Sequence, residues 1–420
     1  MTVDTHRTIE AVWKIEAPRL IAGLARMLRD VGQAEDLAQE ALVAALERWP
    51  TDGVPDNPGA WLMTTAKRRG IDLLRRHRMQ DEKRAALEYE FGSDAMTHAP
   101  DHADALDDDI GDDLLRLIFT ACHPVLGRDM QVALTLRMLG GLTTPEIARA
   151  FLVPEATVAQ RIVRAKRTLA EKKVPFEVPR GEELSARLAS VLEVVYLIFN
   201  EGYAATAGDD WARPALCEEA LRLGRVLAGL APREPEVHGL VALMEIQASR
   251  LHARTGSDGA PILLLDQDRS RWDHLLIRRG LAALDLAERL GGADGNYVLQ
   301  AAIAACHARA LHARDTDWAR IAALYARLAA VAPSPVVELN RAVAVSMAEG
   351  PEAGLALVDA LRDERKLAGY HLLPSVRGDL LFKLGRRDEA RLEFERAASL
   401  TGNARESELL RRRAEACAKR

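Results

Sequence analysis

Cysteine is scarce in this chain. Its 420 residues include only four cysteines, which lie far apart and form no CxxC pair: Cys122, Cys217, Cys306 and Cys417. This spacing suggests neither a disulfide framework nor a zinc site. Such sparse use of cysteine fits a reducing compartment, so we expect a cytoplasmic protein.

Long apolar runs and catalytic signatures are also missing. No apolar stretch approaches the roughly 20 residues that span a bilayer, and an N-terminus with Asp4, Glu10 and Glu16 is not a signal peptide. The motifs GxxxxGK, GxSxG and HExxH do not occur, so nothing positive indicates an enzyme. The adjacent Cys122 and His123 are too few to form a metal site. We expect no membrane partner, no catalytic residue, no metal and no cofactor.

Alternating β-branched patterns are almost absent, whereas apolar residues recur at helical spacing along the chain. An early example of this spacing is Leu20, Leu24, Met27 and Leu28. The period is that of amphipathic helices, so the predicted fold class is all-α. Polar and proline-containing breaks at 50–58, 91–113 and 174–181 delimit the blocks. The predicted domains are 1–80, 113–174 and 182–420, with an acidic linker at 81–112.

Charge is segregated along the sequence. The net charge is only −5, yet segments 58–78 and 154–173 each carry a run of lysines and arginines. Between these segments, residues 81–113 contain twelve acidic residues and only two basic residues, Lys83 and Arg84. Two cationic helices on one chain favour two contacts with one polyanion, made by local patches rather than by the overall charge.

The second basic helix has the context of a DNA-binding motif. Thr143 or Thr144 can cap a helix with Glu146 in its first turn, residues 152–154 end that helix, and Glu155 begins the next one. This spacing is typical of a helix-turn-helix, whose second helix enters the major groove of DNA. Val158, Ile162 and Leu169 are predicted to point inward. The outward residues, which can contact bases or phosphates, are Thr157, Gln160, Arg161, Arg164 and Arg167.

The first block combines an acidic helix face with a basic helix. Asp36, Gln39 and Glu40 lie three or four residues apart and share one face, which by itself indicates only a solvated polar surface. The following helix begins with Trp61 and ends in a run of arginines. Aromatic and cationic side chains together suit separated DNA strands, although Trp61 is equally a candidate core residue.

The strings AEDLAQEALVAALERWP and NPGAWLMTTAKRRGIDLLRRHR resemble region 2 of the extracytoplasmic-function sigma factors, which are specificity subunits of bacterial RNA polymerase. The later LTTPEIARAFLVPEATVAQRIVRAKRTL resembles their region 4. The resemblance implies that Asp36, Gln39 and Glu40 bind core RNA polymerase and that region 4 reads the −35 promoter element. It also implies that loop 51–57 and helix 61–76 recognise and melt the −10 element. The corresponding residues are Asn57, Trp61, Lys67, Arg68, Arg75 and Arg76.

More than half of the chain follows region 4 and is rich in alanine and leucine. Residues 376–397 resemble a tetratricopeptide repeat, with a turn at 385–388 between two helices, and weaker copies occur at 340–361 and 318–333. Stacked helix pairs form a solenoid whose concave face can bind a protein or small-molecule partner. The arrangement resembles the sigma subgroup with a tetratricopeptide-like extension, in which the extension replaces a separate anti-sigma protein.

Two strings in this part mix aromatic and charged residues. YLIFNEGY at 196–203 is interpreted as part of an N-terminal capping helix pair. LDQDRSRWD at 265–273 is interpreted as a loop between repeats with local Asp–Arg pairs. A ligand or partner site is the alternative for both strings, since neither supplies a convergent acid, base and nucleophile.

Three hypotheses follow for the whole chain. The first is a sigma factor that binds core RNA polymerase and promoter DNA and is regulated by its C-terminal helices. The second is a helix-turn-helix regulator with a ligand- or peptide-sensing repeat domain, which would have no need of the first block. The third is an enzyme fused to a DNA-binding module.

Overall fold

The computed structural model describes residues 2–89, 110–151, 153–204, 207–208, 212–256 and 261–418. In these ranges the regular structure is helical apart from one parallel pair of two-residue strands, β1 (Ala207–Gly208) and β2 (Gly402–Asn403), and an isolated bridge between Thr255 and Pro261. The predicted all-α class is confirmed. Within the same ranges, no helix is both long and apolar enough to cross a membrane.

The chain divides into two compact units, Met1–Val194 and Val195–Arg420. The helices of the first unit are α1 (Thr2–Leu28), α2 (Val31–Asp52), α3 (Pro58–Tyr89), α4 (Ile110–Ala121), α5 (Arg128–Met138), α6 (Thr144–Phe151) and α7 (Glu155–Glu171). The next helix, α8 (Glu182–Tyr203), contains the division between the units.

Helix α1 is central to the first unit and packs against α2, α3 and α4. Leu20, Ile21 and Leu24 supply its buried face, as their helical spacing predicts. Helix α2 begins at an N-cap, where the Asp30 side chain accepts a hydrogen bond from the Gln33 backbone. Such a cap typically stabilises a helix by about 1 kcal/mol.

The ends of α2 and α3 differ from the sequence prediction. The loop expected to begin at Pro50 begins at Gly53, because a proline in the last helical turn removes only one backbone hydrogen bond. Gly53 ends the helix with φ of +88°, which glycine adopts without a steric penalty. Helix α3 continues to Tyr89, into the expected acidic linker. The linker's residues 90–109 lie outside the described ranges, as does Leu152 of the predicted break before α7.

The second unit continues as a succession of helices, each packed on its neighbours along the chain. They are α9 (Pro214–Leu230), α10 (Pro235–Ala248), α11 (His274–Arg289), α12 (Asn296–Arg309), α13 (Trp318–Val331), α14 (Pro335–Glu349), α15 (Pro351–Ala360), α16 (Leu372–Lys383), α17 (Arg387–Leu400) and α18 (Ala404–Ala418). The helix pair predicted around the turn at 385–388 is present as α16 and α17. A Cβ atom added to Gly378 of α16 would lie 3.0 Å from the ring of Phe394 on α17, so the small residue permits close packing.

The string at 265–273 does not form the predicted Asp–Arg pairs; that expectation is wrong. Asp268 accepts hydrogen bonds from the backbone and hydroxyl of Ser270, and Asp273 caps α11 through the backbone of Leu275 and Leu276. The carboxylates of Asp268 and Asp273 therefore accept hydrogen bonds from backbone N–H groups at helix starts. Arg269 turns inward instead and donates to the backbone oxygen of His307.

Candidate nucleic-acid interface

Helices α6 and α7 form the helix-turn-helix of the first unit. Thr143 and Glu146 make a reciprocal cap at the start of α6: the Thr143 backbone N–H donates to Glu146 over 2.7 Å, and the Glu146 N–H donates to the Thr143 hydroxyl over 3.3 Å. Helix α7 begins at Glu155, as predicted. Its buried residues are Val158, Ile162, Ala165 and Leu169, which confirms the predicted inward face.

The opposite face of α7 presents the residues predicted to contact the −35 element. Gln160, Arg164 and Arg167 are exposed, whereas Thr157 and Arg161 are half-buried. Arg161 donates to Asp129 of α5 over 2.5 Å, and Arg167 donates to Glu171 one turn further along α7 over 2.6 Å. The face is cationic and held in place by neighbouring carboxylates, an arrangement that suits contact with phosphates and base edges.

Loop 53–57 and α3 carry the residues predicted to contact the −10 element. Asn57 caps α3 by accepting a hydrogen bond from the Ala60 backbone over 3.0 Å. Trp61 is half-buried, with its ring edge-on to the buried Trp49 at 5.4 Å between centroids, so it is partly a packing residue. Further along α3, Lys67 is half-buried and the other predicted residues are exposed: Arg68, Arg75 and Arg76. The helix therefore has a cationic surface that extends from its aromatic start.

The face of α2 predicted to bind polymerase is occupied by cations of this same chain. Asp36 and Glu40 are exposed and Gln39 is half-buried. Nζ of Lys166, on α7, lies 2.9 Å from Oδ1 of Asp36. Arg69, on α3, lies 3.2 Å from Glu40. The acidic face thus contacts both basic helices.

Glu35 also takes part in the contact between α2 and α7, although no sequence pattern indicates this role. It is 3% exposed and pairs with both Lys166 and Arg137, the latter with Nε at 2.9 Å. Burial opposes the charge on Lys166, but Glu35 and Asp36 outweigh it and raise the pKa of Lys166 above its ordinary value. Glu35 lies more than one hundred residues from either partner, so local sequence patterns carry no signal for this network.

The protein families that match the chain do so in the order that the two basic helices predict. Sigma-70 region 2 matches residues 13–79, and Sigma-70, region 4 matches residues 116–169. A third match, over residues 187–288, is to a family of unknown function, DUF6596. No solved structure matches the chain.

Several curated proteins are similar over shorter or longer parts. An uncharacterised protein of Rhizobium meliloti is 46% identical over 94% of this chain and 92% of its own length. The probable ECF RNA polymerase sigma factor SigI of Mycobacterium tuberculosis is 28% identical over 42% of this chain and 59% of its own length. The ECF RNA polymerase sigma factor SigK of Mycobacterium ulcerans is 30% identical over 36% of this chain and 78% of its own length. The chain therefore belongs to the extracytoplasmic-function sigma factors of the sigma-70 family, which are non-enzymatic transcription initiation factors.

Proposed function

We propose that this sigma factor binds core RNA polymerase through α2, the −10 element through segment 51–57 and α3, and the −35 element through α7. The observation that carries the proposal is the placement of one acidic face and two basic faces on three separate helices of the first unit. Each face falls within the matched region 2 or region 4. Polymerase and promoter DNA share the cytoplasm, where we propose that the protein acts.

The polymerase contact uses Asp36, Gln39 and Glu40. The side chain of Asp36 is 70% exposed and that of Glu40 is 58% exposed. Both carboxylates are therefore available to cations of another protein. The exposed ion pair between Glu40 and Arg69 contributes about 0–1 kcal/mol, so a cation on the polymerase can replace Arg69 at little energetic cost. At Asp36 a polymerase cation would compete with Lys166, which is mostly buried and also pairs with Glu35.

The two DNA contacts have different chemistry. On α7, the base edges would be read by Gln160, Arg161 and Arg164. Phosphate contacts of Thr157 and Arg167 would fix the position of the helix along the DNA. On α3, Arg68, Arg75 and Arg76 with Lys67 would hold the phosphates of a strand whose bases have separated. Asn57 and Trp61, at the helix start, would meet the displaced bases.

The contact between α2 and α7 also suggests a resting arrangement of the free protein. Lys166 lies on the helix proposed to bind DNA, and its carboxylate partners lie on or beside the face proposed to bind polymerase. Polymerase binding at Asp36 would compete directly with Lys166. We propose that holoenzyme formation breaks this contact and frees α7 for the −35 element.

For the second unit we propose a positive regulatory role. Its last helix, α18, carries Arg405, Arg411, Arg412 and Arg413, which would support contacts with polymerase or DNA. Carboxylates in the same unit partly neutralise this group, since Arg412 pairs with Glu408 and Arg413 with Asp379. The positive role therefore concerns stabilisation of the initiation complex more than sequence recognition.

Binding to purified core polymerase tests the sigma assignment. The full chain is expected to form a stoichiometric complex with core enzyme during gel filtration and to make thymines of the −10 element reactive to permanganate. A helix-turn-helix regulator of another class would bind promoter DNA alone and leave the thymines unreactive. That second outcome would contradict the proposal.

A further inference from the structure

The first unit contains an open cavity of about 740 Å³, which lies between the end of α1, the start of α2, one face of α4 and the end of α7. Segment 174–177, which follows α7, also lines it. The volume is within the roughly 300–1,000 Å³ that is typical of small-molecule sites. Among the described residues, none that is proposed to contact polymerase or DNA lines this cavity. The first unit therefore has room for a ligand apart from both macromolecular surfaces.

Five cationic side chains line the cavity: Arg26, Arg29, Arg116, Lys166 and Lys173. Three of them have carboxylate partners that do not themselves line it. Lys166 pairs with Glu35, whose side chain is 4% exposed. Arg26 and Arg116 both pair with Asp113, whose side chain is 6% exposed. Because these carboxylates are buried, the surface that a ligand meets at this part of the cavity is that of the cations.

The other two cations, Arg29 and Lys173, are exposed. Within the described ranges, neither side chain forms an ion pair or a hydrogen bond. Two carboxylates also line the cavity. Asp30 accepts hydrogen bonds from the backbone and the side-chain amide of Gln33, and Glu177 is exposed. Arg29 and Lys173 therefore offer charged donors that an anion can bind without breaking an existing contact.

The backbone at these two cations is unusual. In the described part of the chain, the non-glycine residues with positive φ are Arg29, at +55°, and Lys173, at +49°. Each comes shortly after the end of a helix, a position where glycine is the usual residue because it adopts positive φ without steric cost. Strained residues of this kind are concentrated at functional sites. The chain thus keeps a cation beside the cavity at both positions where glycine would be less strained.

Another part of the lining is apolar. It consists of Leu169 at the end of α7 and of Val174, Pro175 and Phe176 in the segment that follows. Phe176 is half-buried, so one part of its ring remains available to a ligand. Aromatic rings of this kind bind the flat face of a nucleobase by stacking. A ligand that matches the whole cavity combines anionic groups with a flat apolar group.

We propose that this cavity binds a nucleoside phosphate. Its phosphate groups would accept hydrogen bonds from Arg29 and Lys173, and its base would pack against Phe176. Because α2 and α7 both border the cavity, the bound nucleotide would stabilise the arrangement in which Lys166 pairs with Asp36. It would thereby oppose polymerase binding at Asp36, a consequence that rests on the proposed function.

Calorimetric titration of the full chain with ATP and with GTP tests the site directly. The titrations are made at constant ionic strength and without magnesium, which would neutralise the phosphates. We expect saturable binding of one equivalent of at least one nucleotide and competition by inorganic tripolyphosphate. Adenosine and guanosine, which lack the phosphates, should bind much more weakly. The absence of saturable binding by both nucleotides would overturn the proposal.

Arg29→Gly with Lys173→Gly separates ligand binding from a structural role. Glycine relieves the strained backbone, so the unfolding temperature of this variant should equal or exceed that of the parent. Its affinity for the active nucleotide should fall about tenfold or more, because two charged donors are lost. If the two cations serve only to stabilise the ends of their helices, the variant would unfold at a lower temperature and bind the nucleotide normally. Unchanged affinity would contradict the proposal, whatever the unfolding temperature.

Two further variants complete the test. Phe176→Ala should weaken nucleotide binding and leave tripolyphosphate binding unchanged; equal nucleotide affinity in this variant would refute the base contact. Arg233→Gln with Arg289→Gln removes the same charge from exposed positions of the second unit and should bind like the parent. Because calorimetry needs neither polymerase nor promoter, nucleotide binding without sigma activity, or sigma activity without nucleotide binding, distinguishes failure of one proposal from failure of the other.

Discussion

Nζ of Lys166 on α7 lies 2.9 Å from Oδ1 of Asp36 on α2, which joins the proposed DNA-reading helix to the proposed polymerase-binding face. The same ammonium group pairs with Glu35, which is buried. One lysine thus bridges an exposed and a buried carboxylate. Its position predicts that the free and polymerase-bound forms of the protein differ at this contact.

Reversing the charge of the α2 face should abolish binding to core polymerase. The change is Asp36→Arg with Glu40→Arg; both residues are exposed, so the helix content should not change. Competition with the parent chain for a limited amount of core enzyme measures the effect. Glu10→Arg with Asp363→Arg alters the net charge equally at exposed positions elsewhere and should compete normally. Equal competition by the α2 variant would show that polymerase binds another surface.

Removing the Lys166 charge should weaken the contact between α2 and α7. We expect Lys166→Met to lower the free energy of unfolding of the first unit by about 1.5–3 kcal/mol, the range for hydrogen bonds to charged groups. It should also increase the affinity for core polymerase, because Asp36 no longer has a competitor. Lys172→Met, at an exposed position after α7, is the matched control and should change neither quantity.

The pH dependence of this effect follows from the direction of the Lys166 pKa. Because the folded-state pKa is raised, the contribution is fully present below the ordinary lysine value and is lost as pH rises through the folded-state value. The stability difference between parent and Lys166→Met should therefore stay constant from about pH 7 to 9 and shrink above about pH 10.5. A difference that disappears already between pH 7 and 9 would show that another group controls the contact.

The two DNA contacts should be separable by mutation. Replacing Arg161 and Arg164 by alanine should weaken promoter binding and change its dependence on the −35 sequence, by about 1–3 kcal/mol for each lost bidentate base contact. Arg164 has no ion pair in the described part of the chain, so its loss disturbs α7 least. Arg75→Ala, also exposed, should spare closed-complex binding and slow strand opening.

Permanganate reactivity of −10 thymines measures the opening step, and gel-shift assays with altered −35 sequences measure the binding step. Trp61→Ala should slow opening as well, but it also removes the edge-on contact with Trp49, worth about 0.5–1.5 kcal/mol of stability. Its unfolding temperature must therefore be compared with that of Arg75→Ala. Normal opening by both variants would refute the assignment of α3.

A truncation should reveal the role of the second unit. A chain that ends at Lys173 is expected to bind core polymerase yet transcribe poorly. It also loses the hydrogen bonds from Arg187 and Ser190 of α8 to the backbone oxygens of Phe119 and Cys122, at 3.0 and 2.9 Å. A second chain, ending at Val194, keeps these bonds and isolates the effect of the second unit. Full activity of the longer truncation would exclude a positive role, and higher activity would indicate autoinhibition.

Local periodicity was sufficient to predict much of the fold. The inward face of α7, with Val158, Ile162 and Leu169, and the helix pair around the turn at 385–388 both depend on residues a few positions apart. Pro50 predicts the end of α2, whereas the helix ends at Gly53. A proline near a helix end is therefore a weaker stop signal than a glycine with positive φ.

The tertiary contacts carried no comparable signal in the sequence. Glu35 pairs with Arg137 and Lys166, which are more than one hundred residues away, and its burial follows only from that packing. The strings at 196–203 and 265–273 are apparent in the sequence, but the position of Arg250 near the rings of both Tyr203 and Trp272 is not. Buried charged residues such as Glu35 and Arg250 meet their neighbours only because the fold brings distant segments of the chain together.

Run-off transcription with purified core polymerase tests the central claim most directly. The assay contains core enzyme, the full chain and genomic fragments, with the Asp36→Arg, Glu40→Arg variant in parallel. We predict promoter-specific transcripts that require both core enzyme and the chain and that disappear with the variant. Promoter binding without any transcript from core enzyme, or equal transcription with the variant, would contradict the account.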